Sequence, residues 1–175
     1  MAENMQLKFK RLDNSIECIG FDCGEEALNK FLSLRALTEM SQRLSVTTVA
    51  LDQRTASIIG FYSISPTQIA KESLSKREGR GVPYDLVPGI RIGRLAISKK
   101  YQGKGFGAKL LRHALQKCLK ISEEFGGRVV VVDAKNEMVA AFYERYGFKS
   151  IKDDPLVFVL KVSTLVKIEN KGDTI

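Results

Sequence analysis

Apolar and polar side chains alternate over residues 5–12, MQLKFKRL, and that period of two predicts a half-buried strand. The period then changes. Over residues 25–44 the apolar positions Leu28, Phe31, Leu32, Leu37, Met40 and Leu44 recur at helical spacing, with a break expected near Ser41. Asp22, three positions before Glu25, reads as the opening of a capping box that would satisfy free amides at the helix start. Residues 46–51 and 57–65 are rich in β-branched and aromatic side chains and flank the polar turn 52–55, which predicts an antiparallel hairpin. Pro66, Pro83, Pro88, Gly79, Gly81 and the basic group Lys76, Arg77 and Arg80 make 66–89 the least regular stretch, with a short helix expected over 69–76.

Beyond it, IRIGRLAIS at 90–98 predicts a strand, and Gly93 inside it suggests a bulge or a close approach by another backbone or a ligand. A long helix is expected over 107–125, with Leu111, Ala114, Leu115, Cys118 and Phe125 as its apolar stripe and Gly126-Gly127 as its stop. The valine run at 128–134 suits a central strand buried on both faces. A short helix over 136–146 ends at Gly147, a C-terminal cap, and strands at 148–151 and 156–162 complete a sheet. The polar residues 167–175 are expected to fray. Strands and helices interleave without an internal repeat, so the pattern predicts one α/β (α+β) domain.

Composition narrows the chemistry. The chain has 175 residues, 44% hydrophobic and 27% charged, which suits one domain with a sizeable core. No apolar run reaches the roughly 18–20 residues of a membrane span, and MAENMQLKFKR lacks the apolar stretch of a secretory leader, so a cytoplasmic location is expected. Cys18, Cys23 and Cys118 form no CxxC pair, and the single histidine, His113, cannot complete a closed four-ligand zinc site with them. No metal is expected. His113, set among Leu110, Leu111, Ala114 and Leu115, reads as a packing or helix-surface residue, which removes the usual catalytic triads. The 28 Lys and Arg against 20 Asp and Glu leave a net charge of +8. An excess of that size favours anionic partners, although a solvated basic surface, or one that binds only nucleotide phosphates, accounts for it equally.

The segment that carries chemistry is 90–111: a strand, then Lys99-Lys100-Tyr101, then Gln102-Gly103-Lys104-Gly105-Phe106-Gly107, then the long helix. Glycines in a strand-to-helix loop let backbone amides converge, and the helix start adds free N–H groups and the positive end of its dipole. The product is a cradle for phosphate oxygens. It is not the GxxxxGK[ST] loop, which is missing, nor a dinucleotide fingerprint, whose glycines follow the first strand of a parallel unit.

Gln102-x-x-Gly105-x-Gly107 resembles instead the pyrophosphate loop of the GCN5-related N-acetyltransferase (GNAT) family. Asn136, with Tyr143 seven residues on and Gly147-Phe148 after it, resembles that family's closing motif, and the two motifs stand in the right order. The resemblance runs over about residues 5–162. It implies a mixed, mostly antiparallel twisted sheet of six to seven strands, splayed in the middle and flanked by about four helices, over a domain at 1–165 with a polar tail at 166–175. It further implies acetyl-CoA as co-substrate. Its pantetheine arm would pair with the strand edge at Leu95, Ala96 and Ile97. Gln102, Gly103, Lys104, Gly105, Phe106 and Gly107 would hold its pyrophosphate. Asn136 would contact the cofactor arm or fix the loop beside it, with a plain helix cap as the alternative. Tyr143 matches the tyrosine that protonates the leaving thiolate after direct attack by an amine.

FDCGEEALNKFL, GFYSIS, IGRLAIS and AFYERYGF resemble one branch of that family, the toxins of bacterial toxin–antitoxin pairs that acetylate the amino acid on charged tRNA and stop translation. That resemblance implies aminoacyl-tRNA as substrate, a small DNA-binding antitoxin as partner, a homodimer, and no membrane association. Lys8, Lys10, Arg11, Arg35, Arg43, Lys76, Arg77 and Arg80 could supply phosphate contacts. Arg94 would orient the tRNA 3′ end or form a buried structural ion pair. An acetyltransferase for a small-molecule or protein amine, and a non-enzymatic acetyl-CoA-binding module, remain the competing readings.

Overall fold

A computed structural model describes residues 5–170. The chain forms two compact units, one made of residues up to Ser65 with Arg94–His113, the other of Pro66–Gly93 with the chain from Ala114 onward. Among the described residues seven strands hydrogen-bond in the order β1-β2-β3-β4-β5-β7-β6. They are β1 (Leu7–Arg11), β2 (Val46–Asp52), β3 (Ile58–Ala70), β4 (Leu86–Ile97), β5 (Val129–Asp133), β6 (Lys149–Ser150) and β7 (Val157–Lys161). The sheet is mixed, as expected. β1–β2, β2–β3, β5–β7 and β6–β7 are antiparallel, and β4–β5 is parallel.

In the first unit, β1 follows its alternation: Phe9 lies flat against the His113 ring, 3.8 Å between centroids, while Lys8 is exposed. The expected first helix forms in three parts: α1 (Glu26–Lys30), a π turn (Phe31–Arg35) and α2 (Ala36–Ser41). The π turn inserts extra backbone, so the buried face shifts along the helix. Phe31, Leu32 and Ala36 face a core with Leu12, Val49, Leu51, Phe61 and Ala96. The capping box does not form. Glu25 takes the N-cap position, and its side chain makes no capping hydrogen bond to the helix. Asp22 instead accepts from the Gly24 amide, Asn29 Nδ2 and Lys99 Nζ, so its carboxylate is held by one loop amide and two side chains rather than by the amides at the helix start.

In the second unit, Val129 to Val132 of β5 are fully buried, and each valine contributes roughly 1.5–2 kcal/mol by leaving water. β4 pairs with β5 from Gly89↔Val129 to Ile92↔Val132, and β4 itself runs on to Ile97. The stretch expected to be irregular is more ordered than its prolines suggested. β3 continues through Pro66 to Ala70, a 3₁₀ turn follows at Lys71–Ser73, and α3 occupies Lys76–Gly79 rather than 69–76. The long helix α4 (Phe106–Phe125) and α5 (Glu137–Glu144) stand where the periodicity placed them. A further helix, α6 (Val162–Asn170), covers part of the stretch expected to fray, and 171–175 lie outside the described residues. No helix among the described residues is long and apolar enough to cross a membrane.

Candidate active site

The phosphate-loop residues all lie in the first unit. β4 ends at Ile97, a 3₁₀ turn spans Lys99–Tyr101, and α4 begins at Phe106. Two buried aromatics, Tyr101 and Phe106, meet edge to face at 5.9 Å and pin both ends of the loop to the core. Gln102 braces the loop. Its Nε2 donates to the carbonyls of Ile97 and Cys23, both at 2.8 Å, tying the loop to the strand end and to the segment before α1. Lys104 Nζ donates to the Lys100 carbonyl at 2.9 Å. Gly103 and Gly105 sit at φ +70° and +80°, the left-handed region that side chains resist, and a Cβ on either would meet no atom within 4 Å. The loop therefore leaves open space beside its backbone at the N-terminus of a 20-residue helix. These features fit a pyrophosphate, which needs amide donors and room rather than side-chain charge.

Leu95, Ala96 and Ile97 form the last residues of β4. Behind them Gly60 makes the close approach: a Cβ there would stand 2.5 Å from the Ala96 carbonyl oxygen and 2.6 Å from Ile97 Cδ1. Arg94 forms an ion pair. Its guanidinium lies over the Phe31 ring, 3.7 Å from the centroid, and 3.5 Å from the Glu39 carboxylate. Glu39 also accepts from Arg35 at 2.8 Å and from Ser45 Oγ at 3.0 Å. Burial pulls the Arg94 pKa below its ordinary value against the opposing charge of Glu39, and the guanidinium remains a cation at any physiological pH. Glu39 and Ser45 carry no signal in the sequence and Phe31 reads there only as an apolar helix position, since nothing in local spacing couples them to Arg94.

Asn136, Tyr143 and the basic group lie in the second unit. Asn136 is exposed, and its Oδ1 accepts from the Val139 amide at 3.0 Å, so it caps α5. Tyr143, on that short helix, is only 4% exposed and packs against Phe142 and Phe148 with ring centroids 5.4 and 5.5 Å away. Gly147 at φ +86° ends the turn that brings Phe148 onto the Tyr143 ring. Burial first, and the negative charge of Asp133 second, push the Tyr143 phenol up to about 12. The phenol is thus a neutral donor over the whole physiological range. Lys76, Arg77 and Arg80 form or flank α3 and take part in no ion pair with a carboxylate among the described residues.

The remaining polar candidates are structural. His113 Nδ1 lies 2.9 Å from the Tyr62 hydroxyl beneath the Phe9 stack. Cys18, Cys23 and Cys118 are free thiols, and burial raises all three, Cys118 to about 12, so none is a ready thiolate.

The Acetyltransferase (GNAT) domain family matches residues 43–150, a span that takes in the glycine loop, Asn136 and Tyr143. A tRNA-acetylating toxin of Mycobacterium tuberculosis (strain ATCC 25618 / H37Rv) is 32% identical over 151 residues, which cover 86% of this chain and 89% of the relative. Among solved structures, AtaT complexed with acetyl-methionyl-tRNAfMet is 26% identical with a TM-score of 0.87, and the match covers 94% of this chain and 99% of that one. AtaTR bound with AcCoA is 27% identical with a TM-score of 0.80, over 93% and 98% of the two chains. With a glycine loop open to a pyrophosphate, the two family motifs in order and these matches over most of its length, the chain belongs to the GNAT acetyltransferase family.

Proposed function

We propose that this protein transfers an acetyl group from acetyl-CoA to the α-amine of an aminoacyl-tRNA and thereby blocks translation. The observation that carries the reading is the 32% identity to a tRNA-acetylating toxin across 86% of this chain, with the phosphate loop and Tyr143 both present. Structural likeness to AtaT complexed with acetyl-methionyl-tRNAfMet supports the substrate, and likeness to AtaTR bound with AcCoA supports the donor. The reading takes residues 1–165 as one catalytic domain with 166–175 as its tail. It also takes the protein to be a cytoplasmic homodimer held in check by a small DNA-binding antitoxin.

Acetyl-CoA supplies the reaction with an activated acyl group on a thioester. The amides of residues 103–107 hold the pyrophosphate, aided by the α4 dipole, and the β4 backbone at Leu95–Ile97 pairs with the pantetheine arm as an added strand would. The acceptor needs little help from a base. An α-amine has a reference pKa of about 7.7–8.0, so much of it is neutral at pH 7–8 and it attacks the carbonyl directly. Tyr143 keeps its proton and donates a hydrogen bond to the sulfur that gathers charge as the C–S bond breaks. A phenol held near 12 is a weaker acid than a thiol of reference pKa about 8.5. Tyr143 therefore stabilises the leaving thiolate by hydrogen bonding, and solvent exchanges the final protons.

The test is transfer of labelled acetyl to a mixed pool of charged tRNA, with deacylated tRNA as control. Label confined to charged tRNA, and lost with Tyr143→Phe, supports the reading. Absence of label on RNA, with acetyl-CoA still bound by calorimetry, moves the acceptor to a small-molecule or protein amine.

A further inference from the structure

Within the second unit, residues 70–86 and Lys152 enclose a cleft of about 860 Å³. Lys71, Lys76, Arg80 and Lys152 line it against the acids Glu72 and Asp85. None of these four cations is ion-paired with a carboxylate among the described residues. Two of them are instead bonded to backbone carbonyls, Lys71 Nζ to Val82 at 2.5 Å and Lys152 Nζ to Glu72 at 2.9 Å. Arg128 reinforces the same segment, donating to the carbonyls of Arg80 at 2.7 Å and Glu78 at 3.4 Å. A carbonyl orients a cation without cancelling its charge. Proline- and glycine-rich chain is thus held in one shape by cations whose positive charge stays available to a ligand.

A second observation concerns the rim. Tyr84, next in the chain to the lining residue Asp85, is 67% exposed, and Leu86 is 49% exposed. A large aromatic left in water beside unneutralised lysines and arginines is the combination that single-stranded nucleic acid uses, with phosphates on the cations and a base on the ring. An acidic peptide would satisfy the charge and leave the aromatic face without a purpose.

We propose that this cleft is a phosphodiester-binding site for the RNA acceptor, with Lys76, Arg80 and Lys152 as phosphate contacts and Tyr84 as a stacking platform for an unpaired base. The proposal rests on the aminoacyl-tRNA reading above and adds the surface on which the RNA is held. Backbone contacts of this kind position the substrate and carry no choice of amino acid.

The experiment measures binding of deacylated tRNA, and of a blunt duplex RNA of similar length, by the full chain over a range of salt. The variant Lys76→Ala/Arg80→Ala/Lys152→Ala is expected to bind tRNA at least about tenfold more weakly, with a salt slope shallower by about two to three. Tyr84→Ala is expected to weaken tRNA binding by about five- to a hundredfold at an unchanged salt slope, Tyr84→Phe to restore it, and neither to alter duplex binding. Acetyl-CoA affinity by calorimetry serves as the folding control and should stay constant. Since Lys152 braces Glu72, the pair Lys76→Gln/Arg80→Gln provides a version without that risk. Wild-type tRNA affinity and salt slope in these folded variants would overturn the proposal. So would unchanged tRNA binding together with lost binding of polyglutamate, which would assign the cleft to an acidic protein. Acetyl transfer to charged tRNA, followed in the same preparations, separates the two claims. Its absence with cleft-dependent RNA binding intact removes the proposed reaction, and its presence with cleft-independent binding removes only the site.

Discussion

Arg94 of β4 lays its guanidinium 3.7 Å from the centroid of the Phe31 ring, a pairing of strand with helix that local sequence does not encode. The π turn at Phe31–Arg35 sets the ring under the cation, and Glu39, with a side chain only 13% exposed, pairs with both Arg94 and Arg35. Glu39→Gln should cost about 1 kcal/mol of stability, since the pair is long and Arg94 is 28% exposed. Urea unfolding measures it. An unchanged midpoint would mean that neither of the two ion pairs of Glu39 contributes net stability.

Gly105 allows stability and binding to be separated. At φ +80°, with open space around the Cβ position, Gly105→Ala should destabilise by about 1 kcal/mol through backbone strain alone. Gly105→Asp adds a charge at the α4 N-terminus that suits the helix and repels a pyrophosphate. Acetyl-CoA binding should therefore be lost in the aspartate variant while its thermal midpoint stays near that of the alanine variant. Equal affinity in the two would remove the phosphate-loop assignment.

Gly60 has no spare volume. The Cβ of Gly60→Ala would meet the Ala96 carbonyl oxygen at 2.5 Å, a backbone atom that cannot swing aside. The expected loss is about 1–3 kcal/mol. Because the displaced atom belongs to the β4 stretch at Leu95–Ile97, acetyl-CoA affinity should fall with it. Denaturant unfolding and calorimetry on one preparation check both.

Tyr143→Phe should lower turnover by about a hundredfold and leave acetyl-CoA affinity unchanged. Equal losses in both would make the tyrosine a packing residue. The pH dependence gives a second readout. Folding raises the Tyr143 pKa from 10.0 to about 12, so its share of stability is complete below pH 10 and is lost as pH climbs toward 12. That loss should approach about 1.4 kcal/mol per pH unit in the window, on top of the contribution of Cys118, also raised to about 12. Urea midpoints at pH 9 to 12 should fall less steeply for Tyr143→Phe than for wild type; identical slopes would mean the phenol is not buried in solution.

Local physics was legible in the sequence wherever cause and effect lie within a few residues. The alternation of β1, the apolar stripe of α4 from Leu111 to Cys118, the valine run of β5 and the Gly147 cap follow from side-chain period and backbone freedom, whereas Phe125, expected in that stripe, is 83% exposed at the end of the helix. The glycine loop was legible for the same reason, since φ near +70° to +80° at Gly103 and Gly105 is a property of those residues themselves. What the tertiary structure alone decided joins residues far apart in the chain. Asp22 turned from a helix cap to Lys99, Arg94 found Glu39 and Phe31, Gly60 met Ala96, and Gln102 tied the loop to Cys23 and Ile97. The same holds for the 66–89 stretch, where composition suggested an irregular loop and Lys71, Arg128 and Lys152 supply partners for its carbonyls. Propensity acts along the chain, whereas these pairings depend on strand register and on which faces pack, and no local spacing encodes either one.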